Sequence, residues 1–114
     1  MSARLPNDLF EVETVDQVQV VKLNDTSLDE SNIQAVGEQL LRLVDEPGPH
    51  TLHVDLGGVK YVGSMGLAKF IALHKKVKGL GGHLTLCNVD DPVYEVFQVT
   101  QLTRVLDVRR KAAG

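Results

Sequence analysis

The sequence predicts an α/β fold: one domain with a mixed sheet of four to five strands covered by helices. Two observations carry this. Segments whose apolar residues alternate every second position take turns with segments repeating every three to four. Glycine, proline and small polar residues punctuate the boundaries between them. Strands separated by helices imply parallel crossovers, which place helices over the sheet.

The elements follow in order. Leu9-Phe10-Glu11-Val12-Glu13-Thr14-Val15 alternates as a half-buried strand, and Val18 to Leu23 resumes as a second. Two residues, Asp16-Gln17, join them in a hairpin whose turn type is open. After the polar loop Asn24 to Ser27, Ser27-Leu28-Asp29-Glu30 fits a capping box, with Asp29 and Ser31 as rival caps. Ile33, Val36, Leu40, Leu43 and Val44 form one stripe of a helix running roughly from Asp29 to Asp45. Glu46-Pro47-Gly48-Pro49 stops it.

Thr51 to Leu56 reads as a third strand, followed by a connection with extended character near Tyr61. A second helix starts at Ser64, with Leu67, Phe70, Ile71, His74 and Val77 on its stripe, and Gly79 to Gly82 end it. His83 to Cys87 is a fourth strand. Asp91-Pro92 reads as a cap and first helical residue, with Val93, Val96, Phe97 and Val99 on the short helix that follows. Val105 to Val108 forms a last strand, and Arg109 to Gly114 a frayed tail.

At 114 residues, 43% hydrophobic and 24% charged, the chain has the composition of a globular domain. No apolar run approaches the roughly 20 residues that span a bilayer, so no membrane association is expected. Met1 to Asp8 lacks a secretory pattern and the single Cys87 cannot form an internal disulfide, which points to the cytoplasm. A net charge of −3 argues against direct nucleic-acid binding. The charge is uneven: residues 1–55 hold eleven Asp/Glu against three Lys/Arg, and residues 56–114 hold four against nine. This fits either a solvated surface or an interface for a bipolar partner.

No cofactor, metal site or catalytic residue is expected. His50, His53, His74, His83 and Cys87 show no metal-ligand spacing. His74 and Cys87 read as core residues. Gly79 to Gly82 follows a helix and lacks the Gly-Lys-Ser/Thr of a phosphate loop. No nucleophile has a base nearby in sequence.

The informative stretch is Tyr61-Val62-Gly63-Ser64-Met65-Gly66-Leu67, a strand-to-helix junction with a serine at the helix start. That serine has two uses. Its oxygen can cap the helix, or it can carry a phosphate that the free amides and dipole favour.

The stretch resembles the junction of the STAS antagonists of anti-sigma factors, where an apolar-aromatic pair precedes Asp-Ser-Ser/Thr-Gly-Leu. Thr26-Ser27-Leu28-Asp29, the run Lys75 to Leu86, and Val93-Tyr94-Glu95-Val96-Phe97 with Leu102 and Val105-Leu106 are similar to further family motifs. Together they span about residues 10–108 of a single STAS domain, 1–114, whose ends 1–8 and 109–114 are expected to be flexible. Gly63 replaces the family's Asp, and Met65 replaces its second hydroxyl residue.

The resemblance implies an anti-sigma-factor antagonist, a protein-binding switch and not an enzyme. It would sequester an anti-sigma factor that is also an ATP-dependent serine kinase. Phosphorylation on Ser64 would release it, and a phosphoserine phosphatase would reset it. Asp29, Gly63, Ser64, Met65, Gly66 and Leu67 would form the partner-binding surface, with Lys69 and Lys76 steering the encounter. The alternative is a STAS scaffold in a bacterial signalling complex that is never phosphorylated. A small enzyme or nucleotide binder is the third reading.

Overall fold

Alternation in the first two strands produces a hairpin, β1 (Phe10–Val15) against β2 (Val18–Leu23), with Phe10 opposite Leu23 and Val15 opposite Val18. The structure, a computed structural model, describes residues 9–48 and 50–112. Asp16 and Gln17 both take positive φ, at 49° and 71°. That is the type I′ turn, whose twist matches the hairpin's, and it settles what the Asp-Gln sequence left open.

The remaining elements are β3 (Ser27–Leu28), α1 (Ile33–Asp45), β4 (Thr51–Asp55), β5 (Tyr61–Val62), α2 (Ser64–Gly79), β6 (His83–Val89), α3 (Asp91–Val99) and β7 (Asp107–Arg110). A single 3₁₀ turn, Leu102–Arg104, precedes β7. The main sheet has the order β1-β2-β4-β6-β7, antiparallel in the hairpin and parallel elsewhere. Beside it β3 and β5 form a separate two-stranded parallel ladder, Ser27 to Tyr61 and Leu28 to Val62. The α/β class and the five-stranded sheet are as expected. The small ladder was foreshadowed only by the extended residue at Tyr61.

One face of the sheet supplies the core. Val21, Leu52, Val54, Leu84 and Leu86 are buried under Ile33, Val36 and Leu40 of α1, Phe70, Leu73 and Val77 of α2, and Val93 and Phe97 of α3. The rings of Phe70 and Phe97 meet at 6.2 Å, tilted by 46°. The residues in between, such as Val20, His53 and Cys87, point the other way and stay partly exposed.

Several boundaries move for identifiable reasons. Helix α1 begins at Ile33, four residues later than expected. Side chains hold residues 29–32 as a turn: Asn32 accepts from the Asp29 amide at 3.0 Å and donates to the Ser27 carbonyl at 2.7 Å. On α2 the buried residues are Gly66, Phe70, Leu73 and Val77, so the stripe is rotated from the one expected, and Leu67, Ile71 and His74 lie at its half-buried flank. His74 is therefore not a fully packed core residue. Partial burial, with Lys78 and His83 nearby, lowers its pKa. Cys87 is likewise half-buried, and burial beside Asp55 pushes its thiol up.

The residue capping α3 is Asp90, not Asp91, which becomes the first helical residue. Val105-Leu106 is not a strand. Leu106 closes the 3₁₀ turn, its amide donating to the Leu102 carbonyl at 2.8 Å, and the strand starts at Asp107. Asp107 accepts from Thr85 at 3.2 Å, pairs with His83 at 2.8 Å and takes the Arg109 guanidinium at 3.1 Å. Arg109, with help from the other two, holds the Asp107 carboxyl down to about 2. Arg109 and Arg110 thus belong to the sheet and not to a loose tail. Residues 1–8 and 113–114, expected to be flexible, lie outside the described residues.

Candidate functional site

The site forms where two loop-to-helix junctions meet at the small ladder. Pairing of β3 with β5 sets Leu28 beside Val62, and the Gly63 amide donates to the Leu28 carbonyl at 2.8 Å. The chain then turns into α2, with Gly63 as its cap residue and Ser64 as the first helical residue. The Leu67 amide closes the first helical bond onto the Gly63 carbonyl at 3.1 Å. The amides of Ser64, Met65 and Gly66 therefore have no helical acceptor and carry the positive end of the helix dipole.

Ser64 is exposed, and no side chain caps α2. Its hydroxyl engages no hydrogen bond among the described residues, because Ser64 stands one position past the cap. Of its two possible uses, capping is thus not the one observed. Tyr61 and Met65 flank it, 57% and 46% exposed, as large apolar side chains turned to solvent.

The second junction brings Asp29. The carboxylate of Asp29 accepts from the Ser31 hydroxyl at 2.6 Å, the Ser31 amide at 2.9 Å and the Ser27 hydroxyl at 3.1 Å. These donors, Ser31 foremost, hold its pKa below the ordinary aspartate value. Asp29 is therefore a fixed negative charge at neutral pH. Asp29, Glu30, Ser31, Tyr61, Gly63, Ser64 and Met65 line one open cleft of about 420 Å³.

Among the residues expected to bind a partner, Asp29, Gly63, Ser64 and Met65 share this cleft. Gly66 does not: it is buried, and a Cβ there would stand 2.8 Å from Val62 Cγ1 and 3.5 Å from Leu28 Cβ. Its role is to let α2 approach the ladder. Leu67 is half-buried against the core. Lys76 pairs with Asp45 at 2.7 Å, and the Lys69 stem lies across Gly37 of α1, so both join the two helices. Sequence reasoning gave no site role to Tyr61, Glu30 and Ser31. A large aromatic next to a two-residue extended segment is the signal that could have singled out Tyr61.

The Gly63 position has room for change. Its backbone, φ −81° and ψ 175°, is ordinary extended chain. A Cβ would meet the Tyr61 hydroxyl at 3.3 Å, the end of a side chain that can give, and the Leu28 carbonyl oxygen at an ordinary 3.6 Å. Gly63→Asp is expected to raise the stability of the domain by a few tenths of a kcal/mol, roughly 1 °C in melting temperature. The carboxylate would cap the free amides of α2, and a fall in melting temperature on thermal unfolding would refute this.

Among the described residues no group of three His, Cys, Asp or Glu is placed to hold a metal ion. No helix among them is long and apolar enough to cross a membrane.

Known proteins with the same arrangement identify the fold. The chain is 30% identical to the anti-sigma-B factor antagonist of Bacillus subtilis (strain 168) over 87 residues, 76% of this chain and 78% of that one. The structure of an anti-sigma-factor antagonist (STAS) domain protein from Planctomyces limnophilus superposes with a TM-score of 0.80 at 24% identity, covering 90% of this chain and 91% of the other. SpoIIAA, an anti-sigma factor antagonist in its unphosphorylated form, superposes with a TM-score of 0.72 at 18% identity over 87% of this chain and 86% of its own. Residues 10–113 match the STAS domain throughout. With the five-stranded mixed sheet, the ladder at the α2 junction and this match over nearly its whole length, the chain belongs to the STAS domain family.

Proposed function

We propose that the protein is an anti-sigma-factor antagonist, a binding regulator and not an enzyme, which acts in the cytoplasm and is switched off by phosphorylation of Ser64. The observation that carries this reading is the unengaged, exposed Ser64 hydroxyl at the first turn of α2, between Tyr61 and Met65. The name of the Bacillus subtilis relative supports the antagonist part.

In this scheme the partner is an anti-sigma factor that is also a serine kinase. Tyr61 and Met65 supply apolar contact to it, and Asp29 and Glu30 supply negative charge at the rim. Transfer from ATP forms a bond from Ser64 Oγ to the γ-phosphorus and breaks the bond to ADP. The hydroxyl proton leaves to a base on the kinase. The product brings about −1.5 to −2 charges into a cleft that already holds Asp29 and Glu30. The free amides of α2 offset that charge locally, so the fold need not change. An apolar partner surface has no such compensation, and desolvating the phosphate against it costs several kcal/mol. The complex separates, and a phosphoserine phosphatase restores it.

A second reading is favoured by Gly63 and Met65, which stand where the family motif has Asp and a hydroxyl residue. It makes the protein a scaffold that binds without being modified. Intact-mass analysis after incubation with ATP and the candidate kinase separates the two. A phosphate-sized gain on the wild type, absent from Ser64→Ala, is the expected result. No gain on either, with the partner still retained in a pull-down, would establish the scaffold.

A further inference from the structure

The loop that delivers Ser64 is tied down from outside the cleft. Lys60, immediately before β5, donates its amide to the Thr26 carbonyl at 2.6 Å, and its ammonium reaches the carboxylate of Asp90. On the other oxygen of Asp90 sits Lys111, at 2.6 Å. The Lys111 amide in turn donates to the Val89 carbonyl at 2.8 Å, and its ammonium lies 3.4 Å from the Gly57 carbonyl in the same loop. The side chain of Asp90 is only 12% exposed, whereas the two lysines reach in from solvent. A carboxylate so enclosed is held ionised, first by Lys111 and then by Lys60. Although Asp90 is the cap residue of α3, its side chain makes no capping bond. Its hydrogen-bonding capacity goes to the lysines instead.

We infer that Asp90 is a positioning residue for the Ser64 junction, joining the start of α3 and the end of β7 to the loop that leads into α2. The link is a short one. With Lys60 fixed, its amide bond to Thr26 holds the ladder in register, and the ladder places the Gly63 amide on Leu28. With Lys60 released, the segment from Gly57 to Gly63 keeps the two-residue ladder but loses its charged anchor. If Ser64 is the phosphoacceptor, a reading on which this functional consequence rests, a looser junction presents it less often in the form a kinase binds.

Asp90→Asn tests this, because the Asp90 side chain makes no capping bond to α3 and asparagine suits the cap position equally well, so the change removes the charge and leaves α3 undisturbed. Amide hydrogen exchange on the free protein reads the junction without any partner. The Lys60 and Gly63 amides are expected to exchange roughly tenfold faster in Asp90→Asn at low salt, with Val54 and Leu86 unchanged. Lys60→Ala is expected to reproduce the effect and Lys60→Arg to spare it. Unchanged exchange at Lys60 and Gly63 would overturn the inference. So would an equal rise across the sheet, since Asp90 would then serve only general stability. With the candidate kinase, Asp90→Asn is expected to raise KM for the protein substrate severalfold and leave kcat near the wild-type value. Equal KM values would refute the functional consequence. A wild type that takes no phosphate would refute the assignment of Ser64, and the exchange rates alone would then decide the role of Asp90.

Discussion

Gly82→Ala is expected to lower the melting temperature by roughly 10 °C. Helix α2 ends in a Schellman arrangement: the Gly81 amide donates to the Lys78 carbonyl at 3.0 Å and the Gly82 amide to the Val77 carbonyl at 2.9 Å. Gly81 takes the left-handed conformation this requires, at φ 80°. The chain then passes so close to His50 that a Cβ on Gly82 would lie 2.1 Å from its carbonyl oxygen and 2.7 Å from its carbonyl carbon. Both are backbone atoms, so no rotamer change relieves the clash. The start of β6 must move off the start of β4, breaking the pairing of His83 with Thr51 at the centre of the sheet. Overpacking of this kind costs about 3 kcal/mol. Gly58→Ala is the control, since no atom lies within 4 Å of its Cβ position. Thermal unfolding followed by circular dichroism compares the two, and a Gly82→Ala variant that melts with Gly58→Ala would refute the argument.

Ser64→Glu is expected to weaken binding to the anti-sigma partner at least tenfold, about 1.4 kcal/mol, while Ser64→Ala keeps wild-type affinity. A glutamate brings one negative charge to the place where the phosphate would stand, beside Asp29 and between Tyr61 and Met65. Folding should not suffer, because a carboxylate in the first turn of a helix is favourable by about 0.3–1 kcal/mol. The two effects thus have opposite signs, and a loss of binding cannot be mistaken for unfolding. Calorimetric titration against the purified partner, with melting curves alongside, measures both. Equal affinities for Ser64→Glu and the wild type would mean that charge at this position does not govern docking.

Residues whose partners are near in sequence were the readable ones. The stripe Ile33, Val36, Leu40, Leu43 and Val44 was legible because a helix places positions three and four apart on one face, and all but the half-buried Leu43 are buried. The end of α2 was legible because its cap needs glycine. The stripe of α2 was misjudged because the helix is apolar on more than one side and Gly66, which has no side chain to announce burial, is part of the buried row. At the site, Ser64 and Gly63 could be placed by the strand-to-helix junction alone, and their approach to Asp29 was legible because both stretches stand at loop-to-helix starts at one end of the sheet. Asp90 was the least readable. Next to Asp91-Pro92 it resembles any capping acid, and Lys60 and Lys111 lie far from it along the chain. The late start of α1 was hidden for a different reason, although its partners are close in sequence: the Asp29 amide donates to the Asn32 side chain, and that local turn competes with helix propagation.

The ladder of β3 and β5 also fixes when the site comes into being. Ser27 and Tyr61 are separated by all of α1 and β4, so their pairing closes a long loop for only two residues of strand. Contacts of that kind repay their entropy only once the elements between them have packed. A nascent or partly unfolded chain would carry Ser64 in its sequence without the cleft around it. If this surface is where the proposed partner docks, recognition through it would report on the completed fold and would withhold the protein from that partner until assembly is finished.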